Sequence, residues 1–202
     1  MNQQVEDIKA IRNMMEKSSK FLSISGLSGI IAGLAAIAGA AFAYFYLLKD
    51  PSAKDYTNEQ ETLILLSDAF VVLLISISLG VFFSWKKAVK NNVIFFNSVS
   101  LRAIYNFSIP LIAGGFFSIL LLFRGETGLV FSTTLIFYGL ALINASKYTF
   151  NEVHILGIIE IVLGLLAAVF IRSGLLFWTT GFGLFNILFG CIIYYKYDRQ
   201  RK

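Results

Sequence analysis

Six uninterrupted apolar stretches dominate this chain and limit what it can fold into. A transmembrane helix needs about 20 consecutive apolar residues, because every backbone amide inside lipid must bond within its own segment. The ten-residue alternation of apolar and polar residues that marks a membrane β-barrel is absent. The sequence therefore predicts an all-α integral membrane protein. Its six predicted transmembrane helices cover residues 22–48, 62–85, 107–123, 129–145, 155–171 and 175–195.

Composition supports this class and excludes several others. Only 14% of the 202 residues are charged, whereas soluble domains have about a quarter. The predicted helices and their loops leave no length for a soluble catalytic domain, and the single cysteine, Cys191, excludes a disulfide scaffold. The basic residues lie in short loops, which argues against nucleic-acid binding. No phosphate loop, metal-ligand pair or nucleophile triad is present, so we expect no enzyme activity, metal or cofactor.

The distribution of positive charge predicts the orientation. Most of the 17 Lys and Arg residues fall on one side of the predicted helices, and cytoplasmic loops retain positive charge during insertion. Both termini, including a basic tail at 196–202, are therefore predicted to be cytoplasmic. Short connections at 124–128 and 172–174 predict two antiparallel hairpins, and the six-helix bundle as a whole is predicted to consist of three. Residues 128–134 match 174–180 at five of seven positions, which indicates either duplication of a hairpin or coincidence.

Residues 1–21 are predicted to form a cytoplasmic amphipathic helix. Val5, Ile8, Ile11 and Met15 recur at helical spacing, with charged residues largely elsewhere. The mixed charge and the long apolar stretch that follows argue against a cleaved signal peptide. This helix either lies on the membrane surface, packs under the bundle, binds a partner or simply leads into the first transmembrane helix.

One stripe of the first transmembrane helix consists of small residues. Ser25, Gly29, Gly33, Ala36 and Ala40 share a face, and small residues allow close helix contact in lipid. The stripe is interpreted as a helix-packing surface, either within the chain or at a homodimer seam.

Two carboxyl groups inside predicted helices are the strongest candidates for a functional site. A charged side chain at a helix centre costs about 2.5–3.5 kcal/mol on insertion scales. Asp68 is predicted about 9 Å below the outer surface and Glu160 about 8 Å above the inner surface. Together with His154, the only histidine, they are interpreted as residues that bind or relay a proton or cation.

An ordinary structural role is the alternative for both carboxyls. The aspartate would pair with Arg124 or Arg172 at an outer turn. The glutamate would be protonated and hydrogen-bonded to Asn144, Ser146 or a threonine of a neighbouring helix.

Two resemblances accompany these patterns. The segment RNMMEKSSKFLSISGLSG at 12–29, the Ala- and Gly-rich first helix and ASKY at 145–148 resemble a family of uncharacterised bacterial six-span inner-membrane proteins. This resemblance implies a bacterial cytoplasmic membrane and no particular activity. The later hairpins are also similar to hairpin-repeat membrane proteins associated with bacterial acid resistance.

Two functions follow as hypotheses. The first is a non-enzymatic sensing or scaffolding component that acts through its amphipathic N-terminus and the basic inner loop at 86–106. Its partners would be the lipid bilayer and a cytoplasmic protein or a second copy. The second is a small transporter or proton/cation pathway that uses the intramembrane carboxyls. The sequence shows no clear broken helix or inverted repeat, which places transport second.

Overall fold

The computed structural model describes residues 25–47, 59–90 and 95–199, which form helices and no strand. Six helices are long and apolar enough to cross a membrane, so the predicted all-α, six-helix fold class is confirmed. The predicted helix at 1–21 lies outside the described residues. The six helices are α1 (Gly26–Leu47), α2 (Glu59–Lys90), α3 (Ser98–Phe123), α4 (Gly128–Ser146), α5 (Asn151–Val169) and α6 (Ile171–Asp198).

Helix α6 changes its winding along its length. It runs from a 3-10 turn and a short α-helical segment into a π-helix at Thr179–Phe185, then through a second α-helical segment to another π-helix at Tyr194–Asp198. The helix nevertheless stays continuous from Ile171 to Asp198, and only its winding changes. No proline marks either change, so the sequence carries no signal for it. The helix also continues through Asp198, which places Lys196 in the helix rather than in a tail at 196–202.

Helix α3 begins earlier than predicted, at Ser98 instead of residue 107. The side chain of Asn97 accepts hydrogen bonds from the backbone amides of Val99 and Ser100 at 3.0 and 2.8 Å. The Ser100 hydroxyl in turn accepts from the Asn97 amide at 2.9 Å, which completes a capping box. This cap starts the helix well before its most apolar part.

The early start places Pro110 inside α3, not in its first turn as predicted. Proline has no amide proton, so the carbonyl of Asn106, four residues earlier, loses its helical donor. The side-chain amide of Asn144 on α4 donates to that carbonyl at 3.3 Å. A neighbouring helix therefore supplies the missing hydrogen bond.

The helices divide into a central group and two outer members. Helices α4 and α5 pack closely together, α6 contacts both, and α1 packs on α6. Helix α2 lies against α1, and α3 lies against α4. Most of the exposed side chains of α2 and α3 are apolar, a surface consistent with a multi-pass membrane protein.

Glycines allow a close crossing between α4 and α5. A Cβ atom added to Gly139 would lie 2.6 Å from the carbonyl oxygen of Gly157, and one added to Gly157 would lie 2.7 Å from that of Gly139. Two turns away, the hydroxyl of Ser132 donates to the carbonyl of Gly164 at 2.7 Å. Backbone contact of this kind is open only to small residues.

The predicted small-residue stripe lies inside the bundle. A Cβ added to Gly33 would lie 2.5 Å from the carbonyl oxygen of Gly183 on α6, and Gly29 faces the same helix. Ser25, Ala36 and Ala40 are buried. The stripe therefore serves contacts within the chain.

Polar contacts join several helices at one end of the bundle. Asp198 forms an ion pair with Lys87 of α2 and accepts a hydrogen bond from the Gly26 amide at 2.9 Å. Nearby in sequence, Lys196 pairs with Glu152 at the start of α5. This end carries the basic residues that predict the cytoplasmic side.

Candidate intramembrane ion site

Glu160 is the most enclosed ionisable residue that the structure describes. It lies on α5 with 0% of its surface exposed. Neither Oε1 nor Oε2 has a hydrogen-bond partner among the described residues. Buried polar groups in proteins are almost always hydrogen-bonded, so a fully buried carboxyl without a partner requires an explanation.

The glycines of α4 and α5 explain why Glu160 is buried. Glu160 lies one turn after Gly157, between the two points where α5 touches the backbone of α4. Its carboxyl group faces Gly181 of α6, where an added Cβ would collide with Oε2 and would also lie 2.6 Å from Leu135. Because residue 181 is a glycine, the space that the carboxyl group occupies stays open. A larger side chain at this position would fill it.

Two polar side chains are linked by hydrogen bonds to Gly181, the residue that this carboxyl faces. The hydroxyl of Tyr138 on α4 donates to Oδ1 of Asn186 on α6 at 3.1 Å. The side-chain amide of Asn186 lies 3.5 Å from the carbonyl oxygen of Gly181, to which it donates. The site thus combines one carboxyl, one phenol and one carboxamide at the π-helical segment Thr179–Phe185, and π-helical turns occur frequently at functional sites.

Aromatic rings close one side of the site. Tyr138 stacks on Phe182 with ring centroids 4.7 Å apart, and Phe182 packs on Trp178 at 4.9 Å. Phe107 of α3 meets Tyr138 edge-on at 6.2 Å. These contacts hold the phenol of Tyr138 in place between α3 and α6.

Asp68 lies elsewhere in the fold. It is half-buried on α2 and faces α1, where a Cβ added to Gly39 would lie 3.3 Å from its Oδ2 atom. Its neighbours therefore differ from those of Glu160. Within the described ranges it forms no ion pair with Arg124 or Arg172, so that structural explanation is wrong.

His154 is separate from Glu160 as well. It is exposed in the first turns of α5, and its Nδ1 atom lies 3.4 Å from the hydroxyl of Ser146. The polar partners proposed for Glu160 are also engaged elsewhere, since Asn144 bonds the Asn106 carbonyl and Ser146 bonds the Ile143 carbonyl. The hydrogen-bonded alternative for Glu160 is therefore wrong for those two residues.

Sequence reasoning missed Tyr138 and Gly181 as parts of the site. Tyr138 lies deep within a helix, whereas most tyrosines of this chain lie near helix ends, and that position was the available signal. Glycines are too frequent in the predicted helices for Gly181 to stand out.

The site contains one group that can exchange a proton or a cation, the carboxyl of Glu160. No group of three or more His, Cys, Asp or Glu side chains that could hold a metal occurs in the part of the chain that the structure describes. A single carboxyl with neutral neighbours suits a proton or a small monovalent cation. No protein-family model, curated protein or solved structure matches this chain.

Proposed function

We propose that this protein is a non-enzymatic component of a bacterial cytoplasmic membrane, with both termini inside, that exchanges a proton or small monovalent cation at Glu160. The observation that supports the proposal is the full burial of a carboxyl whose oxygens have no partner among the described residues. An ionised carboxylate buried alone is strongly unfavourable, so the group must bind a proton or a cation. Ionisable residues inside transmembrane helices commonly mark ion pathways.

Of the two proposed functions, we favour transport over sensing or scaffolding. Glu160 faces the π-helical segment of α6, and π-helical turns occur frequently at functional sites. The sensing or scaffolding alternative acts through residues 1–21, which lie outside the described residues, and through the basic inner loop at 86–106. Of the predicted site residues, only Glu160 belongs to this site, while Asp68 and His154 lie elsewhere.

Ion flux in proteoliposomes tests this proposal. Purified wild type, Glu160→Gln and Glu126→Gln would be reconstituted, and dissipation of imposed proton, sodium and potassium gradients would be followed. Glu126 is the matched control because it is an exposed carboxyl in the turn between α3 and α4. We expect wild type and Glu126→Gln to dissipate one of these gradients and Glu160→Gln to behave as empty liposomes.

Two results would overturn the proposal. One is a Glu160→Gln protein that retains the wild-type flux. The other is folded wild-type protein that dissipates none of the three gradients faster than empty liposomes.

A further inference from the structure

The end of α2 is basic, and the sequence around it contains no acid. Lys86, Lys87 and Lys90 lie in the last residues of this helix. No Asp or Glu occurs in the sequence between Asp68 and Glu126. The charges of these lysines are therefore neutralised either by an acid from a distant part of the chain or by an anion outside the protein.

The three lysines differ in what surrounds them. Lys87 turns into the bundle, where it pairs with Asp198 and lies 5.8 Å from the centre of the Phe150 ring. Lys86 and Lys90 are exposed, and neither forms an ion pair with another described residue. Because they are four residues apart in a helix, their side chains are neighbours on one face. Two positive charges therefore project together from the surface of α2.

The acids at this end of the bundle are already engaged. The Asp198 carboxylate pairs with Lys87, and the Glu152 carboxylate pairs with Lys196. Within the described ranges, no other acid lies at this end. The two exposed lysines therefore need a counter-charge from outside the described chain.

The surroundings of the exposed pair are those of a membrane interface. Trp85, directly before Lys86, is exposed, as are Val89 and the apolar side chains that lead along α2 towards Phe70. Tryptophan is enriched at the level of the lipid headgroups, because its ring has both apolar and polar parts. Helix α3 packs on α4 and not closely on α2. This face of α2 is therefore open to lipid.

We propose that Lys86 and Lys90 bind the phosphate of an anionic phospholipid, whose acyl chains lie along the exposed apolar face of α2. Each lysine carries three donors on a flexible four-carbon stem, so two lysines one turn apart can donate to one phosphate. Like charges at this spacing repel each other, and a bound phosphate removes the repulsion. Basic clusters next to a transmembrane helix on its cytoplasmic side favour anionic lipids. The inference is independent of the exchange proposed at Glu160.

Quenching of tryptophan fluorescence by brominated lipids tests this inference. The chain has two tryptophans, so Trp178→Phe leaves Trp85, beside Lys86, as the reporter. This single-tryptophan protein would be reconstituted in mixtures of phosphatidylglycerol and phosphatidylcholine, with bromine on the acyl chains of one lipid or of the other. The two quenching curves together give the relative affinity of the two lipids for the surface around Trp85.

We expect phosphatidylglycerol to bind this surface more tightly than phosphatidylcholine. In the single-tryptophan protein, Lys86→Gln and Lys90→Gln should each lower the relative affinity about fivefold, equivalent to about 1 kcal/mol for one basic residue near an anionic surface. The double variant should bind the two lipids almost equally.

The matched control is Lys147→Gln in the same single-tryptophan protein. It removes one exposed positive charge from the end of α4, on the same side of the bundle. The relative affinity measured at Trp85 should not change, because Lys147 belongs to a different helix from the proposed binding pair.

Three results would overturn the inference. The first is equal affinity for the two lipids in the single-tryptophan protein. The second is a preference for phosphatidylglycerol that the double variant retains. The third is an equal loss of preference in Lys147→Gln and Lys86→Gln, which would mean that the whole basic side attracts the lipid rather than this pair. None of these results depends on ion flux, so the proposed function is tested separately.

Discussion

At the scale of single residues, Glu160 carries the largest unfavourable free energy that the structure reveals. An ion buried away from water costs several kcal/mol even after relaxation, and an unpaired neutral polar group still costs about 1–3 kcal/mol. An apolar neighbour such as Leu135 gives no compensation. A leucine at position 160 would avoid the cost entirely, which is why we associate the carboxyl with function rather than with stability.

Gly181 is the residue on which this arrangement depends, and its substitution is our prediction at this scale. In Gly181→Ala the new Cβ would collide with the Glu160 carboxyl and approach Leu135. We expect a loss of about 1–3 kcal/mol in the free energy of unfolding, measured in detergent.

The control for this change is Gly115→Ala. Position 115 lies in α3 with nothing within 4 Å of an added Cβ, so alanine should stabilise the helix by about 0.5–1 kcal/mol. Combining Gly181→Ala with Glu160→Ala should recover part of the loss. Equal stability of Gly181→Ala and wild type would show that the carboxyl has more space than the structure indicates.

At the scale of helices, a neighbouring helix can supply a hydrogen bond that a proline removes from the backbone. The clearest case is α3, where Pro110 leaves the Asn106 carbonyl without an amide and Asn144 of α4 supplies one. Interhelical hydrogen bonds in membranes contribute about 0.6 kcal/mol on average and up to about 1.7. The proline therefore fits inside the helix only because α4 lies beside it.

A double-mutant cycle measures this dependence between α3 and α4. We expect Asn144→Leu to lower the free energy of unfolding by about 0.6–2 kcal/mol in wild type. In the Pro110→Ala background the alanine amide bonds the Asn106 carbonyl itself, so the same change should cost clearly less. Equal costs in the two backgrounds would mean that Asn144 does not compensate for the proline.

At the scale of the whole molecule, α1 and α6 close the bundle by bringing the two ends of the described chain together. The Asp198 carboxylate joins three helices, since it pairs with Lys87 of α2 and accepts from the first amide of α1. Both side chains of that ion pair are only 12% exposed, whereas the Lys196 side chain of the second pair is 56% exposed. The two ion pairs have similar distances between the lysine nitrogen and the carboxylate oxygen, and they differ in how far their side chains are buried.

We predict that these pairs contribute very differently to stability. Asp198→Asn removes the carboxylate charge from a largely buried contact with Lys87 and should lower the free energy of unfolding by about 1.5–3 kcal/mol, the range for a hydrogen bond to a charged group. Lys196→Gln should change it by about 1 kcal/mol or less, since exposed ion pairs contribute little. Unfolding in detergent at low and high salt checks both values, and similar losses in the two variants would contradict the prediction.

The number of helices and the presence of a buried carboxyl follow from the sequence alone. Both depend on local chemistry, because lipid accepts only long apolar helices and penalises a charge wherever it is placed. Helix ends were harder to predict. The polar residues within 98–106 lower the hydropathy of that segment. The helix α3 nevertheless begins in it, because Asn97 caps the helix.

The neighbours of Glu160 were decided only by the tertiary structure. Lipid tails are as apolar as the side chains of a neighbouring helix, so an apolar side chain gains little by choosing one over the other. The periodicity of apolar residues in the sequence therefore does not indicate which helices pack together. Close backbone contacts, such as that between Gly139 and Gly157, determine which helices pack together. Since most of the helices contain glycines, the sequence does not indicate which glycines will meet. Tyr138, Asn186 and the π-helical turn of α6 become a site only after those contacts bring three helices around one carboxyl.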